Sequence, residues 1–229
     1  MNVIWRRFDC LPSTNDFIKA QADCTQDTIV LAKRQSGGKG TKGRSFSSEE
    51  GGVYLTALRF YESLPISQAF TVMTCAAAAV CKTLENLGLQ PQIKWPNDVY
   101  VNGKKICGIL IENTLSGGFV RKAIVGIGLN IYNDLPKELQ AIATTVFTET
   151  GVRYDVDETA EKLVHYLYQD GVEKSYYSYL GWIGETVCIT QGEQSFFARL
   201  NGVDEQGNLL AEIDGTIRRF AAAEISVRI

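Results

Sequence analysis

The chain is poor in histidine, and its cysteines lack the spacing of metal centres. His165 is the only histidine, which leaves no imidazole set for a His-based catalytic relay or a His-rich metal site. Cys10, Cys24, Cys75, Cys81, Cys107 and Cys188 are scattered without CxxC spacing, and several lie in apolar runs. Buried thiols in a reducing, cytoplasmic setting are therefore expected, not disulfides or zinc ligands. Excess positive charge is missing too: 23 basic residues stand against 26 acidic ones. That balance gives no sign of bulk nucleic-acid binding and leaves any anion to local basic clusters. No membrane span is expected, because the alanine-rich run near Cys75 is short and flanked by polar residues. The opening MNVIWRRFDCLPSTN has no apolar core of a signal peptide. There are no repeats or low-complexity segments, and 229 residues suffice for one sizeable core plus a small appendage.

What the chain does have is concentrated in KWPNDVYVNGKKICGILIE, from Lys94 to Glu112. Pro96 fixes its own φ and biases Trp95 toward an extended conformation. Val99 to Val101 reads as a short strand, and Asn102-Gly103 is a strong hairpin signal because both residues tolerate positive φ. Ile106 to Ile111 returns as a near-continuous apolar run, expected to be a strand covered on both faces. A lone lysine beside such a strand usually lays its stem on apolar surface and keeps its ammonium wet. Here Lys94, Asn97, Asp98 and Lys105 converge at one end of the hairpin, a grouping suited to an anionic ligand.

Upstream, Val3 to Phe8 reads as a strand, and Leu11 to Asp16 as a turn into a helix reaching about Ala22, with Ser13, Thr14 and Asn15 as candidate caps. The free N–H groups of such a helix start also suit a polar ligand. Thr28 to Ala32 is a second strand, leading to RQSGGKGTKGRSFSSEEGG. Gly38, Gly40 and Gly43 spell GxGxxG, and with Arg44-Ser45 they approach a phosphate-binding loop. Both motifs need a helix directly afterwards. Instead Ser45 to Gly52 is polar and Val53 to Phe60 alternates as a strand. A flexible basic loop remains, with Lys39, Lys42 and Arg44 as cations and glycine amides free to wrap an anion. The main helix is expected from Pro65 to Gly88, a strand from Phe119 to Leu129 and an amphipathic helix from Asp157 to Leu180. From Gly184 onward, short strands at Thr186 to Thr190, Ser195 to Val203, Leu209 to Ile213, Thr216 to Phe220 and Ile225 to Ile229 suggest a small β barrel.

KWPND followed by GKK-x-x-GIL-x-E resembles the central signature of biotin protein ligases, which activate biotin with ATP and attach it to a carrier lysine. The Ser13-Thr14-Asn15 run and the GIGLN ending at Asn130 resemble the family as well. The glycine loop resembles its GRGRxGR motif: Gly38, Gly40, Gly43 and Arg44 agree, while Lys39 and Thr41 stand where arginines are usual. The last stretch resembles the family's SH3-like tail.

The resemblance implies an α+β protein. A catalytic domain over residues 1–182 would hold a mixed β-sheet with helices, class II synthetase-like, and residues 183–229 an SH3-like C-terminal β-barrel. The family's optional DNA-binding N-terminal domain is expected to be missing, since the catalytic part begins at the first residue, and no repressor role is expected of the chain by itself. On the biotin side the resemblance points to Ser13, Thr14, Asn15, Gln35, Gly38, Lys39, Gly40, Thr41, Lys105 and Gly108. On the ATP side it points to Arg44, Phe46, Lys94, Asn97 and Asn130, with Phe46 where many relatives carry Trp, and with Mg²⁺ accompanying the nucleotide. Lys105 would bridge the biotin carboxylate and the α-phosphate, Arg44 and Lys94 would assist the phosphates, and Asp98 would receive the incoming lysine amine. Thr41 would loosen the loop as a lid over biotinyl-adenylate. The implied partner is a biotin carboxyl carrier protein, such as an acetyl-CoA carboxylase subunit or that of a related carboxylase. No nucleic acid or membrane partner is implied. Family members often form homodimers, though no apolar edge decides that here. A lipoate–protein ligase and a non-catalytic biotin sensor or carrier-binding module are the rival readings. A lipoate ligase is not expected to combine the basic loop with KWPND, and a retained Lys105, Arg44 and Asn130 speak against loss of turnover.

Overall fold

In the computed structural model, which describes residues 3–21 and 23–228 with the side chain of Arg228 excepted, two β-sheets carry the chain. The larger is built from β1 (Ile4–Leu11), β2 (Thr28–Gln35), β3 (Gly52–Pro65), β4 (Gln92–Lys94), β5 (Asp98–Val101), β6 (Lys104–Ser116) and β7 (Phe119–Asn130). Its spatial order is β1-β2-β3-β7-β6-β5-β4. Only β1 and β2 run parallel, the remaining neighbours being antiparallel. The parallel pair requires a crossover, and the crossover contains α1 (Thr14–Lys19).

Alternation along β3 and β7 sends successive side chains to opposite faces of this sheet. One face carries Val53, Leu55, Ala57, Val125, Ile127 and Leu129 into the main core. There α2 (Thr71–Asn86) covers it, together with α3 (Val146–Thr150) and α4 (Val156–Leu167). Four consecutive alanines of α2, Ala76 to Ala79, are fully buried, so the middle of the helix is enclosed on all sides and its small side chains let sheet and helices approach. The helix ends where the sequence predicts, with Leu89 N–H donating to the Leu84 carbonyl across Gly88 at φ 82°.

The other face is only partly covered. Ile18 of α1 packs on Val30, Leu58 and Ile124. Because α1 has just 6 residues, it shields one end of that face and leaves Gly126 and Gly128 of β7 to line a cavity.

The smaller sheet contains β8 (Thr186–Gln191), β9 (Gln194–Val203), β10 (Leu209–Ile213), β11 (Thr216–Phe220) and β12 (Ile225–Arg228), in the order β11-β10-β9-β8-β12, all antiparallel. Its core of Val187, Ile189, Leu200, Leu209, Phe220 and Ile225 also receives Trp95 from the larger unit. Trp95 Nε1 donates to the Gly207 carbonyl at 3.0 Å. The KWPND corner therefore sends Lys94 toward the cavity and Trp95 into the neighbouring core.

Several expectations are corrected. The main helix starts at Thr71, not Pro65: β3 runs on to Pro65, and a 3₁₀ turn over Ile66–Gln68 intervenes. The expected helix from Asp157 to Leu180 stops at Leu167, and after Gly171 at φ 76° the chain continues as a 3₁₀ segment, Val172–Tyr179. α1 closes at Lys19, its expected end at Ala22 lying outside the described residues. The end of the last strand at Ile229 lies outside them too. The run from Ile106 to Ile111 is not covered on both faces. Ile106 and Cys107 are fully buried, while Gly108 and Leu110 open onto the cavity.

Candidate active site

The cavity has a volume of about 750 Å³, ample for a cofactor-sized ligand, since such sites typically measure ~300–1,000 Å³. Of the residues picked from the sequence, Ser13, Thr14, Asn15, Gln35, Lys39, Gly40, Thr41, Arg44, Phe46, Lys94, Asn97, Asp98, Lys105, Gly108 and Asn130 all line it. Gly38 does not. A Cβ there would meet the Phe46 carbonyl and lie 2.5 Å from Ser48 Oγ, so its glycine serves the close crossing of the loop's two ends. Its backbone oxygen accepts from Phe46 N–H at 2.9 Å.

One end of the cavity is a neutral polar wall. Ser13 caps α1, its Oγ accepting from Asp16 N–H at 3.3 Å. Gln35 Oε1 accepts both from Thr14 N–H at 2.8 Å and from Thr14 Oγ1 at 3.0 Å, while Gln35 Nε2 donates to Ser48 Oγ at 2.9 Å. Behind them the buried Thr56 hydroxyl touches Thr14 Oγ1 at 2.7 Å and Asn15 Oδ1 at 2.6 Å. The glycine loop folds over this end as a tight hairpin, with Gly40 N–H donating to the Arg44 carbonyl at 2.7 Å. Lys39 anchors it to α1 through an ion pair with Asp16 at 2.7 Å, and Lys42 Nζ donates to the Ile225 carbonyl of the smaller sheet at 3.0 Å. Arg44 is turned back onto Thr41, donating to its carbonyl at 3.3 Å and its hydroxyl at 3.2 Å.

The other end is cationic. Lys105 Nζ lies 2.7 Å from Asp98 Oδ1, with both side chains partly buried. The β4–β5 register sets Lys94 opposite Asp98. Lys94 Nζ sits over the Tyr100 ring, 5.4 Å from its centroid. Burial, seconded by the charges of Lys105 and Arg44, holds the Lys94 ammonium below its ordinary pKa against the opposing pull of Asp98. The Tyr100 phenol is pushed up to about 12, mainly by burial. Asn97 Nδ2 donates to the Ile109 carbonyl at 2.8 Å and Asn130 Nδ2 to the Thr144 carbonyl at 3.0 Å, so both amides hold the wall as well as facing the cavity.

Sequence reasoning missed the segment carrying Leu135, Leu139 and Ile142, which forms an apolar side of the cavity. It grips Lys105 by its backbone: Lys105 N–H donates to the Ile142 carbonyl, and Thr144 N–H to the Lys105 carbonyl, each at 2.9 Å. No periodicity marks these residues, and only the apolar positions in an otherwise polar stretch signalled them. Tyr100 and Thr56 were passed over as ordinary strand residues.

Residues 7–130, more than half of the chain, match the biotin/lipoate A/B protein ligase family. The chain belongs to that family. Residues 182–228 match the biotin protein ligase C terminal domain. Among relatives of this ligase-family chain, the bifunctional ligase/repressor BirA of Bacillus subtilis (strain 168) is 31% identical over 225 residues, covering 91% of this chain and 68% of that protein. The biotin--[acetyl-CoA-carboxylase] ligase of Paracoccus denitrificans is 27% identical over 235 residues, covering 93% and 96% respectively. Among solved structures, the biotin protein ligase from Aquifex aeolicus in complex with biotin and ATP superposes with a TM-score of 0.80 at 29% identity, covering 99% of this chain and 98% of that one. The α+β architecture expected from the sequence, with its separate C-terminal sheet, is the fold of biotin ligases.

Proposed function

We infer that the protein is an ATP-dependent ligase that converts biotin into biotinyl-5′-AMP and passes the biotinyl group to a lysine of a biotin carboxyl carrier protein. The observation that carries this is the polarity of one cavity: a neutral hydrogen-bonding wall at Thr14 and Gln35, Lys94 and Lys105 toward the other end, and Arg44 of the loop lining the same cavity near enough for its charge to act on Lys94. The kinship with biotin ligases supports the same reading.

A carboxylate and a triphosphate repel each other, so the barrier to joining them falls only where fixed positive groups stand ready. The polar wall would take the ureido ring, directing the carboxylate toward Lys105. Lys105 would neutralise that carboxylate and the α-phosphate together, with Lys94 and Arg44 on the remaining phosphate oxygens. A carboxylate oxygen then bonds to the α-phosphorus as the bond from that phosphorus to the bridging oxygen breaks, and pyrophosphate leaves with the electron pair. In the second step the carrier's ε-amine attacks the acyl carbon and AMP departs; Asp98 is the residue proposed to take the amine's proton. Asp98 is the only carboxylate among the described lining residues and is already paired with Lys105. That donor set fits Mg²⁺ arriving on the triphosphate, held chiefly by phosphate oxygens and water, and does not form a protein cage. Residues 1–182 are proposed as the catalytic unit and residues 183–229 as the small barrel beside it.

The test is a transfer assay with purified protein, MgATP and an apo carrier domain. Biotin is expected to add its acyl mass to one carrier lysine, and lipoate to add nothing. Lipoyl transfer in place of biotinyl transfer, or no modification by either, overturns the proposal.

A further inference from the structure

The polar wall around α1 contains more oxygen contacts than hydroxyl hydrogens. Thr14 Oγ1 lies 3.0 Å from Gln35 Oε1 and 2.7 Å from Thr56 Oγ1, and Thr56 Oγ1 lies 2.6 Å from Asn15 Oδ1. Each hydroxyl has one proton to give, so two protons face three contacts. The Gln35 end is fixed. Its Oε1 already accepts from Thr14 N–H, and its Nε2 donates to Ser48 Oγ. The shortage disappears when the Asn15 amide presents its nitrogen, in place of its oxygen, to Thr56, an exchange that leaves the heavy atoms where they are. Such a turn gives up the 3.5 Å contact between Asn15 Nδ2 and Glu112 Oε2, at the outer limit of a hydrogen bond, and sets the amide oxygen toward that carboxylate, whose charge is offset by its 2.7 Å ion pair with Lys19. Donation then runs one way, from Asn15 to Thr56 to Thr14 to Gln35, and Gln35 passes it on through Ser48 Oγ to the Phe46 carbonyl at 3.1 Å.

Thr56 stands in the middle of this relay. It is fully buried and contributes nothing to the cavity lining, so it cannot touch a ligand. Its neighbours along β3, Leu55 and Ala57, are core residues, and a strand position between them has no packing need for a hydroxyl. We propose that Thr56 is a positioning residue for the biotin end of the cavity: its hydroxyl, linked at once to Asn15 and Thr14, fixes both side chains before the ureido ring arrives. Recognition of a small polar ring depends on donors and acceptors being set in advance, because a buried polar group left without a partner costs more than the bond itself contributes. The proposal rests on the assignment of this wall to biotin.

The test compares Thr56→Val, which removes the hydroxyl at nearly constant shape, with Thr56→Ser, which keeps it, in biotin-dependent exchange of labelled pyrophosphate into ATP. Thr56→Val is expected to raise the KM for biotin about tenfold, the ratio that ~1.4 kcal/mol corresponds to, with the KM for ATP unchanged and Thr56→Ser close to wild type. If the valine variant does not fold, Thr56→Ser and Thr56→Ala, which differ by the hydroxyl oxygen, make the same comparison. An unchanged KM for biotin in the hydroxyl-free variant overturns the proposal. So does a rise in both KM values together with a lower Tm, which is what a purely structural role produces. Absence of biotin-dependent exchange by the wild-type protein overturns the functional reading as well, and is distinguishable from a normal wild type beside an unaffected Thr56→Val.

Discussion

Lys105 and Asp98 face each other across the hairpin of β5 and β6, ammonium to carboxylate at 2.7 Å. The register that achieves this is irregular. Asp98 lies opposite Gly108 and Tyr100 opposite Lys105, with a shift between Val99 and Tyr100. Gly108 matters to the fit, because a Cβ there would come within 3.1 Å of Lys105 Nζ. Asp98 thus acts first on Lys105, aiming it into the cavity. Asp98→Asn is expected to lower biotin-dependent pyrophosphate exchange about 10- to 100-fold, the usual worth of a hydrogen bond to a charged group. Exchange at the wild-type rate in that variant shows that Asp98 does not position Lys105.

Lys94, in its proposed role, is expected to give the reaction an alkaline limb. Burial first, then the charges of Lys105 and Arg44, depress its pKa, and Asp98 works in the opposite direction. A depressed value in the folded state means that the folded protein gives up this proton before the unfolded chain does. Between the lowered value and the ordinary one near ~10.4, the unfolded chain binds more protons, so this group's contribution makes stability rise with pH across that window. With Lys94 on the phosphates as proposed, ATP binding is expected to move the other way, since the triphosphate would lose a cation as Lys94 deprotonates. The KM for ATP is therefore expected to climb at a lower pH than an ordinary lysine would cause, and at a lower pH still in Asp98→Asn. A pH series of KM values for wild type and variant checks this; superimposable limbs contradict it.

The two glycines of β7 separate the two ends of the cavity. A Cβ at Gly126 would collide with the Asn15 amide, and one at Gly128 would lie 2.5 Å from the Phe46 ring. Gly126→Ala is expected to raise the KM for biotin, and Gly128→Ala the KM for ATP, each by about tenfold for ~1.4 kcal/mol of displaced contact. Steady-state kinetics with each substrate varied in turn makes the measurement. The reverse pairing removes the assignment of the two ends.

Trp95 joins the two sheets. It is 8% exposed, packs in the smaller sheet's core and donates to the Gly207 carbonyl. Trp95→Ala is expected to cost about 3–5 kcal/mol of stability. Trp95→Phe, which keeps most of the packing and loses the donor, should cost about 1 kcal/mol. Urea unfolding of the three proteins gives the values, and an unchanged midpoint for Trp95→Ala contradicts the joint.

Much of this was readable in the chain because the signals are local. Asn102-Gly103 turns the hairpin at φ 49° and 76°, which the pair favours by itself. The glycines of the loop and the lysines of KWPND and GKK are unusual enough to mark one site. Tertiary effects were not readable. The break after Leu167 rests on Gly171 and on a helical segment folded back against the core, where Tyr176 is fully buried, and no local period separates that from one long helix. Leu135, Leu139 and Ile142 matter because β6 happens to pass beside them. Thr56 looked like one more β-branched strand residue, and only the short contacts to Thr14 and Asn15 set it apart. The close crossing that requires a glycine at position 38 was not readable either, because it depends on where Phe46 and Ser48 return.

The central claim is that prepositioned cations at one end of this cavity make the carboxylate of biotin reactive toward ATP. Biotin-dependent exchange of labelled pyrophosphate into ATP, by the wild-type protein and by Lys105→Ala, tests it most directly. Exchange by the wild type is expected to require biotin and to fall at least about 10²- to 10³-fold in the variant, as when a preorganised charge worth ~2.7–4 kcal/mol is removed. Wild-type exchange without biotin, or undiminished exchange by Lys105→Ala, contradicts the account.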